Sequence, residues 1–278
     1  MTQTPRSAAD YCYRHPNRQS FVLCQRCGRT ICGECQTPGA VGVICPECMK
    51  QQRATAPRVK PAILTRMTGA GAPVVTYAII GICIVVFILQ SIPGIGGTVT
   101  ADLQYAGLYN YPQLFEPWRM LTTIFAHASI IHIALNMYTL WLFGIILEPM
   151  LGRVRYLVLF LLSGLAGSIG VFLIADPRQP VIGASGAIFG MMAAFLIIQR
   201  RLGGNATQLL ILVGINLVIG FVIPGIAWQA HLGGLVGGAL VGLIYVETRR
   251  ASRKNLQIVL LSALTAMMIL ASCWRLFV

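Results

Sequence analysis

Seven long apolar runs constrain what this 278-residue chain can fold into more than any other feature. A helix of about 20 apolar residues is long enough to cross the ~30 Å hydrocarbon core of a bilayer. The runs lie at 73–92, 121–147, 154–174, 181–199, 207–223, 226–246 and 257–277. Only 10% of the residues are charged, whereas soluble domains carry roughly 25%. We therefore predict an all-α polytopic membrane protein. The second run is longer than one span, so part of it is expected to approach the membrane without crossing.

The composition divides the chain into three parts. Seven of the nine cysteines precede residue 60, whereas the sequence after Pro73 is almost entirely apolar. This division predicts a small soluble head at 1–50, a linker at 51–72 with proline, glycine and basic residues, and a membrane domain at 73–278. The N-terminus is polar and has no apolar stretch after a basic start, so we expect no signal peptide.

The lysines and arginines predict the orientation of the chain, because basic residues concentrate on the cytoplasmic side of a membrane. With the N-terminus in the cytoplasm, every lysine and arginine falls inside except Arg119, Arg178 and Arg275. The formal net charge of +13 is then a topology signal, and no nucleic-acid partner is needed to explain it. This pattern fits a multi-pass protein of a bacterial plasma membrane.

The head contains four pairs of potential metal ligands, each with two residues between its members. The pairs read "CYRH", "CQRC", "CGEC" and "CPEC" and contribute Cys12, His15, Cys24, Cys27, Cys32, Cys35, Cys45 and Cys48. Eight ligands satisfy two tetrahedral zinc ions, and the two-residue spacing lets a tight turn direct both side chains at one ion. A disulfide scaffold is the alternative, but a reducing cytoplasm argues against it. We predict about two structural zinc ions.

The ligand spacing resembles that of B-box-like or RING-like cross-braced zinc fingers. The resemblance implies that the first and third pairs share one ion and that the second and fourth share the other. The sequence alone also allows a consecutive pairing. A head this small has too little core to fold without metal. Its expected role is regulation or the binding of an unknown cytoplasmic protein.

Polar residues inside apolar runs are costly and mark candidate functional sites. No aspartate or glutamate lies within a predicted span. This argues against an intramembrane aspartyl protease, which needs two carboxylates, and against a proton-coupled transporter. The H-E-x-x-H string of metalloproteases does not occur either. A site built from serine and histidine remains.

Ser185 and His231 lie at equal predicted depth. Spans four and six both begin at the outer face, and each residue lies about five positions into its span, roughly 7 Å below the boundary. A nucleophile and a base at equal depth on neighbouring helices suit acyl transfer. His132 and Asn136 share one face of span two, and both can donate hydrogen bonds to an oxyanion. His127 does not share that face, and we expect a structural role for it.

Small residues explain how the base can reach the serine, because they let two helix backbones approach closely. One face of span six carries His231, Gly234, Gly238 and Gly242, and span four has Gly186 and Gly190 at the same spacing. Phe189, one turn below Ser185, is expected to lie against the imidazole. Taken alone, the serine of "VIGASGAIFG" is more typical of a packing position. Its agreement in depth with His231 favours a nucleophile.

Four motifs in order resemble those of the rhomboid intramembrane serine proteases. They read "WRMLTTIFAH" (118–127), "HIALN" (132–136), "GASG" (183–186) and "AHLGGLVGG" (230–238). The resemblance covers about residues 73–278. It implies a nucleophile at Ser185, a general base at His231 and oxyanion binding by His132 and Asn136. It also implies supporting roles for Trp118, Arg119, Gly183, Gly186, Phe189, Gly234 and Gly238.

The resemblance implies a rhomboid-like six-helix bundle with a seventh C-terminal helix. The implied activity is an endopeptidase that cleaves transmembrane substrates in the lipid bilayer near the outer face, without a catalytic cofactor. A non-catalytic rhomboid-like scaffold that binds client transmembrane segments is the alternative, and the presence of both Ser185 and His231 disfavours it. A channel or transporter is a third possibility, disfavoured by the lack of buried charge.

Overall fold

The computed structural model describes residues 8–39, 42–55 and 72–277. The chain divides into two compact units, Met1–Ala62 and Ile63–Val278. Most of the predicted linker, residues 56–71, lies outside the described residues. The two units are described separately below.

The first unit, the head, has little regular structure. It contains the antiparallel strands β1 (Thr37–Pro38) and β2 (Val43–Ile44), and helix α1 (Pro46–Thr55). The helix runs past residue 50 into the segment predicted to be a linker. The buried interior consists of Ile31 and six cysteines, so the head has almost no ordinary hydrophobic core.

The second unit is helical, and seven of its described helices coincide with the seven apolar runs. In chain order its helices are α2 (Val74–Gln90), α3 (Gly96–Leu103), α4 (Arg119–Thr122), α5 (Ile130–Leu151), α6 (Arg153–Ile174), α7 (Ser185–Arg201), α8 (Thr207–Val222), α9 (Trp228–Glu247) and α10 (Lys254–Cys273). Within the described residues, four segments are long and apolar enough to cross a membrane: Ile130–Leu151, Arg153–Ile174, Trp228–Glu247 and Ala251–Leu276. The helices α2 and α8 are apolar but shorter.

The second apolar run forms two different structures. Its first part is the short helix α4 and the 3-10 turn Thr123–Phe125, and α5 begins only at Ile130. Ser129 caps α5, because its hydroxyl accepts a hydrogen bond from the backbone N–H of His132 at 3.2 Å. The run therefore contains the non-spanning approach that its length predicts.

The fourth span begins later than the sequence predicts, at Ser185 rather than at residue 181. Val181 and Tyr105 exchange backbone hydrogen bonds of 2.7 and 3.1 Å, and the backbone N–H of Gly183 donates to the carbonyl of Thr123 at 3.0 Å. These bonds engage the backbone in an extended conformation, so the helix starts only after they end. The contact partners lie far away in the sequence, which is why apolarity alone misplaced this boundary.

Helix α9 packs between α6 and α7 through two separate glycine faces. Gly234 and Gly238 lie directly against the backbone of α7, where a Cβ would overlap the carbonyls of Gly186 and Gly190. The other face carries Gly233 and Gly237, where a Cβ would overlap Ala166 of α6. The sequence analysis found only the first face. Such faces allow close backbone approach without the bulk of side chains.

Two buried polar side chains, Arg119 and Asn110, hold the segment between α2 and α5. Arg119 is buried and donates to the Glu116 carboxylate and to the carbonyl of Ala101. Asn110 is fully buried and donates to the carbonyl of Ser272 at the end of α10, at 2.8 Å. The seventh span therefore contributes directly to the position of this loop.

A buried carboxylate joins the start of α2 to the last turn of α5. Glu148 is 2% exposed and accepts hydrogen bonds from the backbone N–H groups of Val75 and Thr76, at 2.9 and 2.8 Å. The Thr76 hydroxyl also donates to it at 2.8 Å. The first N–H groups of a helix have no intrahelical partner, so Glu148 caps α2 from the neighbouring helix. Glu148 directly follows the predicted span 121–147, and its position in the sequence does not indicate this role.

We expect Glu148→Gln to lower the free energy of unfolding by about 2 kcal/mol, because it replaces a charge-assisted acceptor with a neutral one that leaves a buried donor unsatisfied. Denaturant unfolding of the full chain in micelles, followed by circular dichroism, measures this loss. The matched control is Glu247→Gln, whose carboxylate is exposed and pairs with Arg201 at 3.4 Å. Surface pairs contribute about 1 kcal/mol or less, so equal losses in the two variants would contradict the assignment.

Candidate functional site

Ser185 is the first residue of α7, and Ala184 before it is the N-cap residue of this helix. The N–H groups of the first helical turn have no intrahelical acceptors, and the helix dipole favours negative charge at this end. The backbone around Ser185 is therefore suited to an anion. This position arises from the late helix start described above.

His231 lies in the first turn of α9, and its Nε2 is 2.9 Å from the Ser185 hydroxyl oxygen. The imidazole is stacked on Phe189, with ring centroids 4.3 Å apart and an interplanar angle of 11°. Among the described residues, Nδ1 of His231 has no hydrogen-bond partner. Packing, rather than a carboxylate, therefore orients this ring.

A third helix limits the movement of the His231 ring. Gly220 of α8 lies close to Nδ1 of His231, because a Cβ added to this glycine would be 3.0 Å from that nitrogen. The backbone of α8 therefore covers the edge of the ring that faces away from Ser185. The sequence analysis did not identify Gly220, because nothing in its spacing relates α8 to His231.

The glycine contacts between α7 and α9 set the distance between serine and histidine. Gly234 contacts the backbone of Gly186, the residue that follows Ser185. Gly238 contacts Gly190 about one turn further along both helices. Any side chain at Gly238 would force the two helices apart. Gly242 continues the contact, where a Cβ would lie 2.8 Å from Cα of Ala194.

The His132 ring lies over the backbone that leads into Ser185. A Cβ on Gly183 would be 2.8 Å from both Cε1 and Nε2 of His132, so only glycine fits here. Gly183 also has a φ of 132°, a conformation that L side chains rarely adopt. Nδ1 of His132 accepts from the N–H of Ala128 at 3.4 Å. A neutral ring that accepts at Nδ1 carries its proton at Nε2, on the edge facing Gly183.

Asn136 lies one turn further along α5 and is 7% exposed. Its side-chain amide donates to the carbonyl of His132 at 2.8 Å. An amide nitrogen carries two hydrogens, so one donor remains for a ligand.

His127 is closer to this group of residues than the sequence predicts. It is 2% exposed, and its ring meets His132 edge-on with centroids 5.2 Å apart. Neither ring nitrogen has a hydrogen-bond partner among the described residues. The backbone N–H of His127 donates to the side chain of Gln90 at the end of α2, at 3.0 Å.

Trp118 and Arg119 lie away from the serine–histidine pair. Trp118 is 57% exposed at the start of α4, and Arg119 stacks on Tyr109 at 4.4 Å while bonding within the loop. Their contacts support the loop and reach no residue of the pair.

The head brings its eight predicted ligands together in two groups. One group is Cys12, His15, Cys32 and Cys35, and the other is Cys24, Cys27, Cys45 and Cys48. Within each group all ligand atoms lie within 4.8 Å of one another. The seven cysteines among them form no disulfides. The grouping is that of a cross-braced finger, and the donor sets, three thiols with an imidazole and four thiols, suit a tetrahedral metal ion.

The thiol pKa values diverge within one group of ligands in the head. Burial raises the pKa of Cys12, but hydrogen bonds from backbone N–H groups, led by that of Cys32, lower it by more. The pKa of this thiol is therefore lowered to about 6. Burial raises the pKa of Cys35 to about 11, together with the neighbouring sulfurs of Cys12 and Cys32. Not all thiols of one group can therefore ionise together at neutral pH. A bound metal ion removes this conflict, because it stabilises every thiolate that it ligates.

We expect Gly238→Ala to reduce the reactivity of Ser185 towards a fluorophosphonate probe by roughly 100-fold, because separating α7 from α9 misplaces the base. The rate of covalent labelling in micelles measures this effect. The matched control is Gly214→Ala on α8, where a Cβ has nothing within 4 Å. Comparable rates in both variants and in the unaltered chain would show that the glycine contact does not set the geometry.

Known proteins resemble this chain over the region that contains the serine–histidine pair. The family model described as Rhomboid domain matches residues 114–248. "Rhomboid protease GluP" of Bacillus subtilis is 36% identical over 203 residues, which cover 70% of this chain and 39% of that protein. The chain therefore spans well under half of the length of GluP.

Two further relatives cover different shares of their length. "Putative rhomboid protease YdcA" of Bacillus subtilis is 34% identical over 140 residues, 48% of this chain and 70% of that protein. "RHOMBOID-like protein 6, mitochondrial" of Arabidopsis thaliana is 37% identical over 159 residues, 53% of this chain and 51% of that protein. Together with the helical architecture, these matches show that the chain belongs to the rhomboid family.

Proposed function

We propose that the protein is an intramembrane serine endopeptidase with a Ser185–His231 dyad. The observation that carries the proposal is the 2.9 Å separation between Nε2 of His231 and the hydroxyl oxygen of Ser185, at the N-terminus of a helix. Relatives named as rhomboid proteases support the same reaction class. The substrates we propose are transmembrane segments within the bilayer.

In the first step, the Ser185 oxygen attacks the carbonyl carbon of the scissile peptide bond while Nε2 of His231 takes the hydroxyl proton. The tetrahedral intermediate then breaks its carbon–nitrogen bond, and His231 returns the proton to the leaving amine. A water molecule, deprotonated by the same imidazole, hydrolyses the acyl ester and regenerates Ser185.

The developing oxyanion needs donors that are already in place. We assign this role to Nε2–H of His132, to the free amide hydrogen of Asn136 and to the backbone N–H of Ser185. Gly183 supports the assignment, because it lets the His132 ring approach the backbone next to the nucleophile. Phe189 and Gly220 replace the carboxylate of a catalytic triad by confining the imidazole sterically.

We further propose that the N-terminus is cytoplasmic and that the dyad lies towards the outer face of a bacterial plasma membrane. The distribution of lysine and arginine supports this orientation. The dyad then lies at the outer ends of α7 and α9, where water for the second step enters from the bulk solvent.

We propose zinc as the metal of the head. Two thiol-rich groups of four ligands match the preference of zinc for sulfur and nitrogen donors in tetrahedral geometry. The ions would supply the folding energy that a core of one isoleucine and six cysteines lacks. The role we propose for the head is regulation or the binding of a cytoplasmic protein.

We expect Ser185→Ala to abolish covalent labelling by a fluorophosphonate and to lower the cleavage rate of a reconstituted transmembrane substrate by a factor on the order of 10⁴ or more. Labelling is read on a fluorescent gel and cleavage by mass spectrometry of the products. The control Ser262→Ala removes an exposed serine of α10. If Ser185→Ala labels and cleaves like Ser262→Ala, the chain is not a serine protease of this kind, and the scaffold alternative gains support.

We expect the purified full chain to contain about two zinc ions, and Cys35→Ala and Cys45→Ala each to lose about one or more of them. Elemental mass spectrometry per mole of protein gives the count. Cys273→Ala is the control, because this thiol lies in α10 outside both groups. The zinc assignment is wrong if the unaltered chain has no zinc, or if Cys273→Ala loses as much as the other two variants.

A further inference from the structure

Three consecutive apolar side chains are exposed on the head. Phe21 is 75% exposed, Val22 40% and Leu23 51%, and they are the exposed large hydrophobic residues of the described part of the head. Backbone bonds hold this segment in place, because the N–H of Ile31 donates to the Val22 carbonyl at 2.8 Å and Leu23 pairs with Thr30. The interior behind them is filled by the cysteine groups. These side chains, called the 21–23 patch below, therefore cannot turn inward.

The 21–23 patch lies within a stretch that is basic and lacks acidic residues. From Tyr11 to Gly33 the sequence has no aspartate or glutamate, and its four arginines are all exposed: Arg14, Arg18, Arg26 and Arg29. Arg18 and Arg29 reach Glu34 and Glu47, which lie outside the stretch. An apolar tip next to exposed cations is the combination that binds the interface of an anionic bilayer.

The position of the head in the chain distinguishes a bilayer from a protein partner. The described helix of the head ends at Thr55, and α2 of the membrane domain begins at Val74. The intervening chain extends to roughly 60 Å at most, and its sequence adds Arg58, Lys60 and Arg66. The head is therefore always within this distance of a lipid surface. Tethering of this kind gives a high effective concentration, so a weak contact is sufficient for binding.

We infer that the 21–23 patch docks on the anionic lipid surface of the membrane in which the chain is anchored. Phe21 inserts among the headgroups, and Arg14, Arg18 and the neighbouring cations contact lipid phosphates. The inference is independent of the proposed proteolysis, because it involves neither Ser185 nor His231. It adds a lipid-binding function to a head whose cysteine groups account only for its folding.

The test places 4-fluorophenylalanine at position 21 of the full chain, in nanodiscs that contain a small fraction of a gadolinium-chelating lipid. Fluorine relaxation reports the distance from the label to the surface. We expect severalfold faster relaxation in phosphatidylglycerol discs than in phosphatidylcholine discs. The same label at Gln52, an exposed position of α1 outside the patch, provides the reference.

A charge variant tests the arginines separately. Arg14→Gln combined with Arg18→Gln is expected to weaken docking on phosphatidylglycerol by about thirty-fold, since each cation near an anionic surface contributes about a fivefold effect. Unchanged zinc content shows that this variant is folded. Relaxation at position 21 that never exceeds that at position 52 would overturn the inference and leave a protein as the partner of the patch. Equal relaxation in the two lipids would overturn the assignment to anionic headgroups.

Discussion

The approach of α9 to its two neighbours is the contact on which the rest of the membrane domain depends. Lipid provides no hydrophobic force between helices, so association relies on close van der Waals contact and hydrogen bonds. The glycines of α9 remove side chains on two sides, towards α7 and towards α6. With these side chains absent, the helix fits between its neighbours and carries His231 to the start of α7. The glycines of α9 therefore determine both the packing of the three helices and the position of His231 beside Ser185.

Much of the membrane domain could be predicted because bilayer geometry reduces the choice of structure to helices. The apolar runs located seven of the described helices, and periodicity placed His231 on the face with Gly234 and Gly238. The start of α7 could not be predicted in this way. It depends on bonds between Val181 and Tyr105, which the chain brings together from separate segments. The second glycine face, Gly233 and Gly237, was not predicted. The spacing argument considered only the contact of α9 with α7, whereas these glycines face α6.

Single polar residues were harder to place than patterns. Glu148 lies at the end of an apolar run, where an exposed side chain would be expected. It is buried because it accepts hydrogen bonds from the first backbone N–H groups of α2, which have no partners within that helix. The orientation of His127 towards His132 was also missed, since it follows from the loop conformation and not from helical spacing. In the head, the residue types predicted the eight ligands. Which ligand pairs come together depends on the path of the chain. The resemblance to cross-braced zinc fingers, and not the residue types, predicted this pairing.

The cross-braced grouping has a consequence for how the head gains and loses structure. The ligands of one group, Cys12 to Cys35, and those of the other, Cys24 to Cys48, are interleaved along the chain. A metal ion bound to each group would therefore close a loop that contains half of the ligands for the other ion. Neither half of the head would then form a separable module, and folding would be coupled across both sites. Loss of one ion would loosen the chain around the other, so that the head would respond to metal supply as a single cooperative unit.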